Sequence, residues 1–175
     1  MSLDCTENGR LSMVSACGLL DASFREPSMD YIDLIKATKL MCGATDAQKL
    51  VKRAMFNLLT VNQDDHSKNF AFLQDDNENW KLSPFYYIVY SPLPNGEYMT
   101  SFNGSGTTAS RKTIELMARQ AGYKNAQPLI DIIKEIREVT LGFKDIALKT
   151  KLDRRVISDI TDHMELVWNE IQKEL

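Results

Sequence analysis

From residue 29 to residue 171 the apolar positions recur mostly at helical spacing. In "MDYIDLIKATKLM" Tyr31, Leu34, Ile35, Leu40 and Met41 fall on one face, which predicts a helix over Met29–Met41. Ser28 stands where an N-cap belongs, Pro27 precedes it, and Gly43 stops the helix. The next helix opens on "TDAQ", in which Thr45 and Gln48 have the spacing of a capping box. Its buried stripe is Leu50, Val51, Ala54, Met55, Leu58 and Leu59. Three later segments repeat the pattern. Arg111 to Ala121 ends at Gly122, and Gln127 to Leu141 carries Leu129, Ile130, Ile132, Ile133, Ile136 and Val139. Lys151 to Glu174 sets Val156, Ile157, Ile160, Met164, Val167, Trp168 and Ile171 on one stripe.

The middle of the chain breaks this rhythm. Phe70–Leu73 and Trp80–Leu82 are short apolar runs on either side of "QDDNEN", the signature of a β-hairpin. From Phe85 to Ser110 no period is sustained, which predicts a loop of about 25 residues, long enough to be functional or mobile. Within it "NGSGTT" lacks the lysine and the strand–loop–helix setting of a phosphate loop, so it reads as mobile surface. Phe85, Tyr86, Tyr87 and Tyr90 read as aromatic packing against the hairpin. The chain is therefore expected to be a single mainly α domain over residues 1–175, with a small inserted β-hairpin and a flexible segment at 1–10.

Composition narrows the classes. At 43% hydrophobic and 26% charged, the 175 residues suit one globular domain and exclude general disorder. A formal charge of −3 gives no overall field to draw nucleic acid or an anionic membrane. No stretch is apolar for long enough to span a bilayer, and "MSLDCTENGR" lacks the start of a signal peptide. Cys5, Cys17 and Cys42 form neither a CxxC pair nor a disulfide framework, which favours a reducing cytoplasm and a role as small buried hydrophobes.

The candidate chemistry sits in "NQDDHSKNF", residues 62–70. Asp, Asn and Ser favour turns, so a polar helix-to-strand connection is one reading. A metal site is a second, but His66 has no HxxxH or cysteine partner, and His163 lies far along in the last helix. The third is phosphoryl transfer. Asp64 and Asn69 have the D-x-x-x-x-N spacing of a kinase catalytic loop, with Lys68 beside them to stabilise phosphate charge.

"FNLLTVNQDDHSKNFAFL" followed by "WKLSPFYYI" resembles the catalytic core of HipA-type serine/threonine kinases, the toxins of bacterial toxin–antitoxin pairs. That pattern runs N-x-D-x-H-x-K-N-x-x-F, a hairpin, then L-(S/T)-P-x-Y-D. "ACGLL" and "YIDLIKAT" are similar to the segment before it, so the likeness covers Cys17 to Tyr90. The resemblance implies a helical kinase C-terminal-lobe-like fold, with Asp64 as catalytic base and Asn69 as the magnesium ligand. His66 and Lys68 would shape or charge the loop, and Asp65, at a variable position, would be solvated or capping. It further implies magnesium and ATP as cofactors of the complete enzyme, and a protein substrate with an antitoxin-type DNA-binding protein as partners. Direct binding to nucleic acid or membrane is not implied.

Two departures qualify this. Tyr87 stands at the cofactor-binding position where the family has a magnesium-binding Asp, and a neutral phenol is a poor ligand for that ion. No stretch supplies the glycine-rich loop and strand lysine of an N-terminal ATP-binding lobe, so the chain is expected to be a C-terminal lobe only, a fragment or split partner. The expected function is the catalytic-loop lobe of such a kinase, inactive as this chain and binding no cofactor by itself. The alternative is a pseudokinase-type interaction module for an antitoxin or regulator.

Overall fold

The computed structural model describes residues 4–6 and 9–175. For residues 1–3, 7 and 8 the expected flexibility lies outside the described residues. Strands β1 (Cys5–Thr6) and β2 (Gly9–Arg10) pair antiparallel, and β3 (Ser12–Ser15) leads into a short helix α1 (Ala16–Leu20), with Ser15 as its N-cap. The hairpin forms as expected, from β5 (Ala71–Gln74) and β6 (Trp80–Leu82). It is not isolated: β3 adds to its other edge, so β5 is the centre of a three-stranded sheet.

Helices α2 (Tyr31–Cys42), α3 (Ala44–Leu59), α4 (Arg111–Ala121), α5 (Gln127–Leu141), α6 (Phe143–Ala147) and α7 (Arg154–Ile171) make up most of the remainder. The α3 stripe is buried as its periodicity requires, and it meets Tyr31, Leu34 and Ile35 of α2, Ile114 and Met117 of α4 and Leu129 and Ile133 of α5. Removing that much apolar surface from water, at about 25 cal/mol per Å², is what holds the helices together. The domain is mainly α with a small sheet.

Several local expectations change. Helix α2 begins at Tyr31, not Met29, and is capped by Asp30, whose side chain accepts from Ile32 N at 2.7 Å. Ser28 instead donates to the Ser23 carbonyl. Met29–Asp30 is itself a strand, β4, pairing in parallel with β7 (Thr100–Ser101) inside the segment expected to be loop. Thr45 and Gln48 make no capping box. Gly43, at φ 84°, ends α2 and also serves as the N-cap of α3, leaving no position for a side-chain cap. The "NGSGTT" turn is not loose surface: Gly104 N and Ser101 Oγ both donate to Asp30 Oδ2, and Phe102 bridges Ser105.

Leu40 (89% exposed), Val139 and Val156, placed on apolar stripes by their spacing, face outward, because among the described residues no element covers that side of their helices. Cys17 and Cys42 are free and half-buried rather than buried, and desolvation pushes the Cys42 thiol up to about 11. No helix among the described residues is long and apolar enough to cross a membrane.

Candidate catalytic loop

Helix α3 hands the chain to the polar cluster through a strained residue. Val61 sits at φ 57°, a left-handed conformation that a β-branched side chain resists by about 1–3 kcal/mol. The reversal lets Ser91 N donate to Val61 O and Gln63 N to Ser91 O, bringing the long segment alongside the loop.

From there the loop alternates. Gln63, Asp65 and Ser67 are buried, while Asp64, His66 and Lys68 turn outward. The inward set binds the loop to everything around it. Gln63 Nε2 donates to Gly96 O at 2.9 Å, and its Oε1 accepts from Leu93 N at 2.6 Å. Ser67 Oγ donates to the carbonyls of Ala22 and Ser23. Asp65 accepts from the Tyr31 hydroxyl at 2.6 Å and from Thr100 N at 3.0 Å. Behind Tyr31 the network continues: Asn57 Nδ2 donates to the Tyr31 hydroxyl at 3.0 Å, and Asn62 Nδ2 to Asn57 Oδ1 at 3.0 Å.

Asp65 is therefore not the solvated or capping residue expected. It is fully buried and joins α2, the loop and β7. Burial raises its pKa to about 7, against the opposing pull of the Tyr31 and Thr100 hydrogen bonds. The same burial, with the Asp65 charge next, raises the Tyr31 phenol well above its usual value.

The outward set forms a small constellation. Asn69 Nδ2 donates to Asp64 O at 2.6 Å, closing the loop on itself, and among the described residues no protein donor occupies its Oδ1. His66 Nδ1 accepts from Lys68 N at 3.3 Å, while its Nε2 stands 3.8 Å from Asp64 Oδ1. That arrangement places the neutral ring's proton on Nε2, toward the carboxylate. Lys68 Nζ lies 3.2 Å from the centre of the Phe24 ring, a cation–π contact that holds its charge to one side.

Tyr87 joins this group from the segment that follows the hairpin. It sits at φ 55°, is half exposed, and its ring centre lies 6.4 Å from that of His66, tilted by 36°. Hydrogen bonding to Asp64, and then the Asp64 charge, raise the Tyr87 pKa. The contacts seen for Tyr87 and its aromatic neighbours are with α3, the polar loop and α7 rather than with the hairpin expected. Phe85 lies edge-on to Phe56 of α3 with Arg53 over it, Tyr86 donates to Lys68 O at 2.6 Å, and Tyr90 stacks on His163 of α7. After Pro84 the chain leaves the sheet and passes the polar loop, where Tyr86 meets Lys68.

The five residues singled out in the sequence thus lie close together on one loop and the segment beside it. A magnesium ion is poorly served there. Among the described residues no three His, Cys, Asp or Glu side chains converge to hold a metal, and the position facing Asp64 offers a neutral phenol. The inward partners, Tyr31, Asn57, Asn62 and Thr100, escaped sequence reasoning. The alternation 63–65–67 against 64–66–68 was the one signal that could have revealed Asp65 as buried.

A mainly helical domain with a polar loop slung between its central helix and a short hairpin is a fold of the HipA C-terminal type. The chain belongs to the HipA-like C-terminal domain family, whose model matches residues 3–143. The protein called "Putative kinase Y4mE" of Sinorhizobium fredii (strain NBRC 101917 / NGR234) is 49% identical over 46 residues, 26% of this chain and 11% of that protein. A chain in the structure of the Shewanella oneidensis MR-1 toxin–antitoxin system HipA, HipB and operator DNA complex superposes with a TM-score of 0.69 at 16% identity. The match covers 90% of this chain and 42% of that one, so this chain spans less than half of that relative.

Proposed function

We propose that this chain is the catalytic-loop lobe of a HipA-like serine/threonine protein kinase of a toxin–antitoxin system, catalytically silent in its present form. In the complete enzyme, Asp64 takes the proton of a protein hydroxyl as it attacks the γ-phosphate of ATP. Asn69 fixes the loop so that Asp64 stays aimed, His66 orients the carboxylate, and Lys68 supplies charge near the transferred group. The family membership, the constellation of Asp64, His66, Lys68 and Asn69, and the name of the Sinorhizobium relative support this reading. An antitoxin-type DNA-binding protein is the proposed partner, by analogy with the complex containing the structural neighbour.

The observation that carries the silence is Tyr87 beside Asp64. A phenol whose pKa is raised stays protonated and offers no anionic oxygen to hold a magnesium ion, so the divalent cation that would offset nucleotide charge beside Asp64 lacks its ligand. Calorimetric titration of magnesium–ATP into the wild-type chain and the Tyr87→Asp variant tests both parts. The variant is expected to gain a magnesium-dependent affinity at least tenfold above the wild type. Equal magnesium-dependent binding by both would show that Tyr87 does not silence the cleft, and no binding by the variant would count against the kinase-lobe reading itself.

A further inference from the structure

Away from the catalytic cleft, an apolar groove of about 300 Å³ opens between the C-terminal end of α5, helices α6 and α7, and the strap that follows Tyr87. Phe56 of α3 and Met164 of α7 line it, with Ile88, Val139, Phe143 and Ile146 around them. Ile146 is 65% and Val139 68% exposed, and Leu148, Leu152 and Val156, in the segment that follows, are exposed as well. An exposed apolar groove of this kind marks a binding surface more often than a plain exterior.

Charge says what covers it. Residues 144–155 carry Lys144, Lys149, Lys151, Arg154 and Arg155 against only Asp145 and Asp153, in a chain whose overall formal charge is −3. None of the five cations forms an ion pair among the described residues. Burial, and after it the charge of Asp159 on α7, raise the pKa of Tyr90 in the groove lining, and this one carboxylate leaves the cationic excess of residues 144–155 in place. The groove lining is thus apolar, and the segment that runs from its Phe143–Ile146 wall into α7 carries an unpaired positive excess. Phosphates would leave the apolar floor unfilled, and a bilayer would need a convex rather than concave surface. A helix with bulky apolar residues on one face and carboxylates flanking them satisfies both features.

We infer that this groove docks an acidic amphipathic helical segment of a partner protein, seating its apolar side chains beside Ile146 and Phe143 and its carboxylates on the α6–α7 cations. The surface is separate from Asp64 and serves whether or not the loop transfers phosphate. The test is fluorescence anisotropy with the full chain and a labelled synthetic helix bearing leucines on one face and glutamates on its flanks. A twin with lysines in place of the glutamates is the control. The acidic helix is expected to bind at least tenfold more tightly than the twin and to weaken as salt is raised. Ile146→Glu and the pair Lys149→Glu, Arg155→Glu should each lower that affinity at least tenfold, with Met13→Glu on the distant β3 leaving it unchanged. All these side chains are exposed, and circular dichroism of each variant verifies the fold. Equal binding of the two helices, no binding, or indifference to Ile146→Glu overturns the inference. So does self-association in sedimentation, or binding to phosphatidylserine vesicles, that Ile146→Glu abolishes.

Discussion

Replacing Asp65 by Asn probes the buried support of the loop, and its effect can be worked out in sign and size. The carboxyl titrates at about 7 in the folded chain against an ordinary value of 3.8, with burial as the main cause. Between those values the native state holds a proton that the unfolded chain has released. Stability therefore falls as pH rises from about 4 to about 7, and this contribution is flat on either side. About three pH units at about 1.36 kcal/mol each give a loss of about 4 kcal/mol, large beside a total of roughly 5–15 kcal/mol. Asp75, whose pKa is lowered chiefly by the Asn79 backbone N–H, acts in the opposite sense. Its contribution is lost only as pH falls below 3.8, outside this window. Asparagine does not titrate, so Asp65→Asn removes the slope. Its amide also meets the Tyr31 hydroxyl donor with donors of its own, leaving one buried group unmatched at a cost of about 1–3 kcal/mol near pH 4. Urea denaturation followed by the fluorescence of Trp80 and Trp168, from pH 4 to pH 8, measures both curves. A wild-type curve that stays flat or climbs between pH 4 and 7, or an equal fall in the variant, would refute the reasoning.

Three further outcomes are expected. Phe70→Ala removes a buried ring that meets Tyr31 edge-on at 5.8 Å, and should cost about 3–5 kcal/mol in chemical denaturation. Ser67→Ala leaves the carbonyls of Ala22 and Ser23 without their buried donor, and should lower stability by about 1–2 kcal/mol while leaving far-ultraviolet dichroism unchanged. Gly122 ends α4 at φ 93° with its N–H shared by the Ala118 and Arg119 carbonyls, so Gly122→Ala should cost about 1 kcal/mol, read as a drop in Tm.

The helices α3, α4 and α5, the hairpin, and the outward residues of the loop were all legible in the sequence. Helical period, glycine stops and an ordered motif are local signals, and local physics suffices to produce them. Leu50 to Leu59 repeats every three to four residues, so one face must bury whatever the partner is. Asp64, His66, Lys68 and Asn69 are close in the chain and meet through a single turn.

The tertiary structure decided what depends on distant segments meeting. Asp65 looks like its neighbour Asp64 in the sequence, and only the arrival of Tyr31 and Thr100, 34 and 35 positions away, makes one buried and the other open. The pairing of Met29–Asp30 with Thr100–Ser101 was invisible for the same reason, since a two-residue strand has no period of its own. Ile146 and Val139 carry the same apolar signal as core residues, and they form surface because no element among the described residues covers them. A sequence specifies which faces are apolar. Which of them is covered depends on long-range packing among elements that the local pattern does not encode.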